Sequence, residues 1–192
     1  MTYVEITATL FGVMFIILLT KRNVWSWVAG NVSVALQAWS FYDSHLYADM
    51  ILQGIYFVMG AYGFYLWRKH GDEESFTILF LTPKQKTLLA LTGIVCALII
   101  ASTLHQFTDA AKPFADSTLA VASIIATYLQ VKKYMENWPL WIVLNTSYTL
   151  LYATRGLWLY SALSVIFGIF AITGWIEWKR YNANSNLTEN YT

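Results

Sequence analysis

The chain has 192 residues, of which 57% are hydrophobic, 17% aromatic and only 12% charged, and its net charge is +1. A chain with this small share of charged residues cannot cover a water-facing surface. The composition therefore excludes an ordinary soluble domain and indicates an integral membrane protein. The length leaves no room for a separate soluble domain, and the basic residues occur in short pairs instead of a stripe, so no nucleic-acid partner is expected.

Seven stretches are apolar and long enough to cross a membrane, since a spanning helix needs about 20 mostly apolar residues. In chain order we predict helices at 3–20, 24–42, 47–67, 85–104, 114–132, 138–153 and 157–178. Polar residues interrupt the second and the sixth. The first is expected to be a retained helix and not a signal peptide, and the polar tail 181–192 is expected to fray. The predicted fold is an all-α integral membrane protein with seven transmembrane helices, in a single domain over 1–192.

The basic residues predict the orientation of these helices. Ten Lys and Arg residues fall on one side of the membrane, and only Lys112 and Arg155 fall on the other. Because basic residues concentrate on the cytoplasmic side, the N-terminus is predicted outside the cell and the C-terminus in the cytoplasm.

Two parts of the chain resemble each other. The pattern Trp-x-x-x-Asn occurs at 27–31 and again at 141–145, and Gly-x-x-x-Trp followed by two basic residues occurs at 63–69 and at 174–180. The two patterns lie three residues closer together in the second copy, which suggests a shorter connection there. Since one helix separates the two triplets of helices, both triplets enter the membrane in the same direction.

This pattern predicts a parallel 3+1+3 repeat. Repeat one covers about 3–69, a linker helix about 85–104, and repeat two about 114–180. Transporters built from such repeats bind their solute near mid-depth between the halves. We therefore expect a substrate site between the two repeats.

Carboxamides lie well inside predicted spans at Asn31, Gln53 and Asn145. An amide in hydrocarbon must find a partner or pay a desolvation penalty. Each of them therefore faces either a solute cavity or a neighbouring helix. The second alternative, a hydrogen bond that only joins two helices, stays open for all three.

Aromatic residues share helix faces with these amides. In the sixth span, aromatic side chains and Asn145 follow the spacing i, i+3, i+7, i+10 and i+14 from Trp138 to Tyr152. Such a face suits a planar heteroaromatic solute, because rings stack on it while carboxamides donate and accept, and a cationic ring gains a cation–π attraction. The candidate substrate-binding residues are Trp27, Asn31, Asp49, Gln53, Tyr56, Trp138, Trp141, Asn145 and Tyr148.

Two of these candidates have a plain structural alternative. Trp138 follows a basic loop, where tryptophan commonly anchors a helix at the lipid headgroups. Asp49 either attracts a cation from outside or only stabilises the N-terminus of its helix through the helix dipole.

Several kinds of site have no counterpart in the sequence. It contains no Gly-rich phosphate loop, no nucleophile elbow and no metal-spaced set of His and Cys, and Cys96 is its single cysteine. We therefore predict a protein that is not an enzyme and that uses no cofactor and no metal.

The segment 132–145 carries Trp-x-x-Trp-x-x-x-Asn directly after a basic loop, which resembles the signature of the Pnu family of vitamin transporters. Asn31 and the runs 46–53 and 62–67 also resemble that family's first repeat. The resemblance implies a 3+1+3 fold, a homotrimer in the bacterial inner membrane, and facilitated diffusion of a vitamin that a cytoplasmic kinase then traps by phosphorylation. The substrate-binding positions that it implies are Gln53, Trp138, Trp141 and Asn145.

The resemblance leaves the vitamin open. Family members carry nicotinamide riboside, thiamine or riboflavin, and the first two both contain a cationic ring. This chain is short for a nicotinamide riboside carrier, and Asp49 stands where such a carrier has serine. Thiamine is therefore the preferred substrate and nicotinamide riboside the alternative. A non-transporting membrane sensor or subunit is the rival class.

Overall fold

The computed structural model describes residues 3–43, 45, 47–69, 76–107 and 113–189. These residues form seven α-helices, in chain order α1 Tyr3–Thr20, α2 Ser26–Asp43, α3 Tyr47–Lys69, α4 Pro83–Phe107, α5 Pro113–Val131, α6 Asn137–Thr154 and α7 Trp158–Glu189. The seven predicted spans are confirmed, and apart from the end of α7 their limits agree within three residues. Lys112 and the acidic run 72–74 lie outside the described residues.

Five of the helices are long and apolar enough to span a membrane on composition alone: α1, α3, α4, α5 and α7. The other two, α2 and α6, are as long as α1 but carry more polar residues. These are the two spans that the sequence shows as interrupted. Their polar side chains are accommodated because both helices pack between neighbours, as described next.

Six helices form a closed ring. Going round it, α1 packs on α2, α2 on α3, α3 on α5, α5 on α6, α6 on α7, and α7 on α1 again. In the described part of the chain α4 packs on α5 alone and lies outside the ring. Its apolar side chains, such as Leu88, Leu91 and Ile94, are exposed, as expected for a helix whose outer face meets lipid.

Helix boundaries correspond between the first triplet (α1 to α3, the first repeat) and the last (α5 to α7, the second repeat). The sequence offset from Ser26, which begins α2, to Asn137, which begins α6, is the same as that from Asp43 to Thr154, where these two helices end. We call this common offset the repeat register. Together with the ring order, it supports the parallel 3+1+3 architecture.

The turns obey the same register. Arg22 and Lys133 both have a left-handed backbone, with φ of 59° and 62°, and they follow α1 and α5. His45 at 58° and Gly156 at 74° do the same after α2 and α6. The two members of each pair are equivalent positions in the repeat register. A left-handed residue just past a helix lets its N–H satisfy the last helical carbonyls, so both copies end their helices in the same way.

This register corrects one detail of the sequence comparison. The counterpart of Trp27 is Trp138 and not Trp141, and the second connection is not shorter than the first. Gly63 lies against the Trp27 indole and Gly174 against the Trp138 indole, so closely that a methyl group at either glycine would overlap the ring. The sequence match was displaced by three residues, which is nearly one helical turn and therefore keeps the same face.

The helix ends that carry the basic pairs, here called the basic end, enclose an aromatic cluster of Trp27, Trp67, Phe76, Trp138 and Trp178. Ring centroids lie 5.4 Å apart for Trp27 and Trp67 and 5.3 Å apart for Trp138 and Trp178. Phe76 packs edge-on between Trp67, at 4.9 Å, and Trp178, at 5.1 Å. All five are buried. We call this cluster the aromatic floor.

The floor also ties the two repeats to each other. Trp67 of α3 donates its indole N–H to the carbonyl of Val131 at the end of α5, at 3.0 Å. Trp178 of α7 donates to the carbonyl of Leu19 near the end of α1, at 3.4 Å. Each repeat thus donates an indole N–H to a main-chain carbonyl near a helix end of the other, which fixes both seams of the ring.

The predicted fraying of the tail is wrong for the part of it that is described. Helix α7 continues through Glu189. Tyr181 explains its first extra turn, because its ring packs against Phe76 at 6.3 Å and the Arg22 guanidinium lies 3.9 Å above it. A cation–π contact and aromatic packing hold the helix beyond the membrane span.

Candidate functional site

Three hydroxyls meet where α3, α5 and α6 come together. The Tyr56 hydroxyl is hydrogen-bonded to the Ser123 hydroxyl. Because Ser123 donates its own proton to the carbonyl of Ala120, at 2.9 Å, Tyr56 is the donor. Tyr148 of α6 has Tyr56 and Ser123 as electrostatic neighbours. The Tyr56–Ser123 hydrogen bond closes the seam between the two repeats, near the middle of α3 and α5.

A chain of side-chain hydrogen bonds leads from Gln53 of α3 toward α1. Gln53 donates to the Gln37 side-chain carbonyl at 3.4 Å, and Gln37 donates to the Ser33 hydroxyl at 3.1 Å. Ser33 in turn donates to the main-chain carbonyl of Ala8 at 2.8 Å. The side-chain oxygen of Gln53 is buried and has no hydrogen-bond partner among the described residues. It is therefore an acceptor that a bound solute can use.

Toward the basic end, α5 and α6 are joined by a second polar contact. The Trp141 indole N–H donates to the side-chain oxygen of Gln130 at 2.8 Å. One turn further along α6, the Asn145 amide donates to the main-chain carbonyl of Trp141 at 2.8 Å. Gln130 and Asn145 are both buried, whereas Trp141 is partly accessible.

The opposite end of the bundle is acidic and rich in tyrosine. Arg155 holds Asp116 through two hydrogen bonds of 2.8 and 3.0 Å. Asp49 has Asp116 and Tyr152 as electrostatic neighbours. Tyr152 stacks on Tyr148, with centroids 5.8 Å apart and planes 16° apart. None of the ion pairs in the described ranges includes Asp49.

We call this set the polar column. Its members, ordered by their positions along the helices from the acidic end to the basic end, are Asp49, Tyr152, Gln53, Tyr148, Tyr56, Ser123, Asn145, Trp141 and Gln130. Six of the nine predicted site residues belong to it. The other three, Trp27, Asn31 and Trp138, are placed elsewhere.

Trp27 and Trp138 form part of the aromatic floor, where they are 2% and 0% exposed. Their indole N–H groups have no partner among the described residues. Asn31 instead contacts α3. In the amide orientation that satisfies both groups, it donates to the Phe57 carbonyl at 3.3 Å and accepts from the Ala61 N–H at 3.2 Å. In this conformation Asn31 joins two helices, which is the second of the two alternatives left open by the sequence.

Sequence reasoning missed Ser123 and Gln130. Both are 2% exposed and lie on one face of α5, seven residues apart. That spacing was a usable signal, but Gln130 stands two residues before a basic pair, where the sequence indicates only a helix end. Asp116, in the first turn of α5, is paired with Arg155 of the connection between α6 and α7.

Two open grooves lie on the outer side of α2 and α3, and the larger one reaches the polar column at Gln53. The grooves, of about 340 and 520 Å³, run between α2 and α3, and Asn31 lines one and Gln53 the other. Nearly all their other lining residues are apolar, and Trp39 at the rim is 65% exposed. Grooves of this kind on a lipid-facing surface suit acyl chains better than a polar solute.

The basic end is covered by the segment that precedes α4. Leu79 exchanges main-chain hydrogen bonds with the loop between α5 and α6: its N–H donates to Lys133, at 3.0 Å, and its carbonyl accepts from Met135, at 2.9 Å. The Glu136 carboxylate accepts from the Leu81 N–H at 3.1 Å and pairs with Lys86. Burial here lowers the pKa of the Lys133 ammonium.

A seven-helix membrane bundle with a polar column at the seam of two parallel repeats defines a membrane transporter for a small solute. Comparison with known families agrees. The family of nicotinamide mononucleotide transporters matches residues 2–180, and the chain belongs to this family. The family consists of membrane transporters and not of enzymes, and the resemblance to Pnu-type carriers is confirmed.

Individual relatives cover most of the chain. It is 26% identical to the nicotinamide riboside transporter PnuC of Escherichia coli K12, over 98% of this chain and 91% of that protein. It is 30% identical to PnuC of Neisseria mucosa, over 72% of this chain and 55% of that protein. It is 21% identical to the riboflavin/roseoflavin transporter RibM of Streptomyces davaonensis, over 91% and 83%.

A crystal structure of the vitamin B3 transporter PnuC superposes with a TM-score of 0.78. The match has 26% sequence identity and covers 95% of this chain and 83% of that one. The fold predicted from the sequence is therefore that of a known vitamin transporter. The preference for thiamine finds no support among these relatives, which favour the stated alternative.

Proposed function

We propose that this protein carries nicotinamide riboside across the membrane by facilitated diffusion, through the polar column between its two repeats. The observation that supports this best is the meeting of Tyr56, Ser123 and Tyr148 at the seam, flanked by amides on both sides. Nicotinamide riboside has a cationic ring, a carboxamide and ribose hydroxyls. Each of these groups has a complementary partner in the column.

The cationic nicotinamide ring stacks on Trp141 or Tyr148, where desolvation strengthens the cation–π attraction. Its carboxamide pairs with the Asn145 amide, because each can donate and accept at the same time. The free oxygen of Gln53 accepts from a ribose hydroxyl. Trp138, which lies beneath Trp141, contributes in this proposal by supporting the site from the aromatic floor.

Passage requires the seam to open. The hydrogen bond between Tyr56 and Ser123 closes it, so a solute that takes over these hydroxyls separates the repeats locally. Net uptake then comes from phosphorylation of the vitamin inside the cell. The basic end faces the cytoplasm and the N-terminus lies outside in this proposal, which also retains a homotrimer in the bacterial inner membrane.

Substrate choice is tested by competition. Liposomes that contain the purified protein are given labelled nicotinamide riboside with an excess of unlabelled thiamine, riboflavin or nicotinamide riboside. Only the last is expected to suppress uptake strongly. Suppression by thiamine at lower concentration than by the riboside would restore thiamine as the substrate. Binding without any uptake would favour the sensor class instead.

The carboxylate of Asp49 at the acidic end should attract the cationic solute. Replacing Asp49 with asparagine is expected to raise KM for nicotinamide riboside by roughly three- to ten-fold at low ionic strength and by less at high salt, because an exposed carboxylate attracts cations over about a Debye length. Initial uptake rates at both salt concentrations measure this. The matched control is Glu177→Gln, which removes a carboxylate at the basic end. Equal effects of the two variants would contradict the role of Asp49.

The orientation has its own expected result. A reporter enzyme that is active only in the cytoplasm, fused after Tyr181 or at the C-terminus, should be active, because ten of the basic residues lie on that side. The same reporter placed in the connection between α6 and α7, at Gly156, should be inactive. The reverse pattern would invert the proposed topology.

A further inference from the structure

The two repeats share a backbone register, so positions where their interiors differ in chemistry are informative. Two identical half-sites cannot make different contacts with the two ends of an asymmetric solute. The two repeats must therefore differ in sequence where they contact the solute specifically. In the repeat register, Gln130 and Trp141 of the second repeat stand where the first repeat has Leu19 and Gly30. This pair touches, with 2.8 Å between the indole nitrogen and the amide oxygen.

Packing alone does not explain the exchange. In the first repeat the space beside Gly30 is filled by Phe15, whose ring lies 2.9 Å from the position of an added methyl group. The counterpart of Phe15 in the second repeat is the fully buried Ala126. The large ring at this level is Phe15 of α1 in the first repeat and Trp141 of α6 in the second, so the space between the helices is filled in both. What the second repeat adds is an indole N–H and a buried acceptor for it.

That acceptor is costly to bury. Gln130 is 2% exposed, and an amide removed from water is stabilised only if it is hydrogen-bonded. The equivalent residue of the first repeat, Leu19, shows that an apolar side chain of similar length fits this position of the fold. The hydrogen bond does, however, restrict rotation of the Trp141 ring, whose terminal torsion is otherwise broad. One turn away, Asn145 is bonded to the carbonyl of Trp141.

We propose that Gln130 is a positioning residue that holds the Trp141 indole in the plane on which the cationic ring of the solute stacks. The inference rests on the proposed function, since it needs Trp141 to contact the solute. Gln130 itself makes no contact with the solute and acts through the indole N–H. The second repeat thereby supplies a rigid platform, whereas the first supplies only packing.

A double-mutant cycle tests this in the full-length protein, with nicotinamide riboside as the probe and calorimetry as the measure of Kd. Gln130→Leu installs the residue of the first repeat and should raise Kd roughly five-fold, the loss typical of one hydrogen bond, with no loss of thermal stability. In a Trp141→Phe background the same change should have no further effect. In ¹⁵N-tryptophan-labelled protein, Gln130→Leu should also shift the indole N–H resonance of Trp141. Gln106→Leu, at the end of α4, is the control.

The outcomes separate this inference from the proposed function. If Trp141→Phe raises Kd and Gln130→Leu leaves it within two-fold, the positioning role is overturned while the site stands. If Gln130→Leu weakens binding equally in both backgrounds, its role is structural and the inference also fails. If Trp141→Ala leaves Kd unchanged, Trp141 lies outside the site and the proposed binding face fails together with the inference.

Discussion

Replacing Trp141 with alanine should lower the affinity for nicotinamide riboside by roughly one-hundred-fold. A desolvated cation–π contact contributes about 2 kcal/mol and aromatic stacking about 1 kcal/mol, and each factor of ten in Kd corresponds to about 1.4 kcal/mol. Titration calorimetry on the detergent-solubilised protein measures the change.

The control for this variant is Trp39→Ala. Trp39 is 65% exposed on the outer face of α2, at the rim of the groove between α2 and α3, and is not part of the polar column. Its removal should leave Kd unchanged within a factor of two. If Trp141→Ala binds the riboside within three-fold of the parent protein while folding normally, Trp141 does not form the stacking surface.

Gly174→Ala should destabilise the fold by about 2–3 kcal/mol, which corresponds to a fall of roughly 5–10 °C in Tm for a chain of this size. The added methyl group overlaps the Trp138 indole, which is 0% exposed and also packs edge-on against Trp178. The ring has no room to retreat. Gly63→Ala should behave in the same way, since it meets the Trp27 indole.

Gly54→Ala is the matched control, because nothing lies within 4 Å of a methyl group at that position of α3. It should be neutral or slightly stabilising, since alanine favours a helix over glycine. A second check is compensation: Trp138→Phe in the Gly174→Ala background should recover part of the loss. Equal Tm values for Gly174→Ala and Gly54→Ala would show that the floor is not tightly packed.

Much of the fold follows from the sequence because the bilayer is a demanding solvent. A spanning segment must be helical and about 20 residues long, so hydropathy located even α2 and α6, whose amides interrupt the apolar pattern. The end of α7 escaped this reasoning. Beyond the membrane no such rule applies, and the helix is extended by the contacts of Tyr181 with Phe76 and Arg22.

The repeat was visible in the sequence, but its register was not. Trp27 matches either Trp138 or Trp141, because a shift of three residues leaves both on nearly the same face of α6. The matching helix ends, the paired glycines and the left-handed residues at the turns distinguish the two alignments. The correct register then changes the meaning of Trp141, which has no aromatic counterpart in the first repeat.

The candidate site was found in part for a related reason. Amides and aromatic residues at regular spacing identified Gln53, Asn145 and Tyr148, which lie on one face of their helices. Ser123 and Gln130 lie in α5, whose sequence is mostly apolar, and nothing in their immediate sequence marks them. Their partners Tyr56 and Trp141 are on other helices. Contacts between helices far apart in the chain leave no local pattern for the sequence to reveal.

Equilibration of nicotinamide riboside into sealed proteoliposomes, without ATP and without an ion gradient, tests facilitated diffusion most directly. The account predicts that the internal concentration rises to the external one and stops there. It further predicts that accumulation beyond this level occurs only when a riboside kinase and ATP are enclosed. Internal riboside that stays at the level of protein-free vesicles, or that exceeds the external concentration without the kinase, would contradict it.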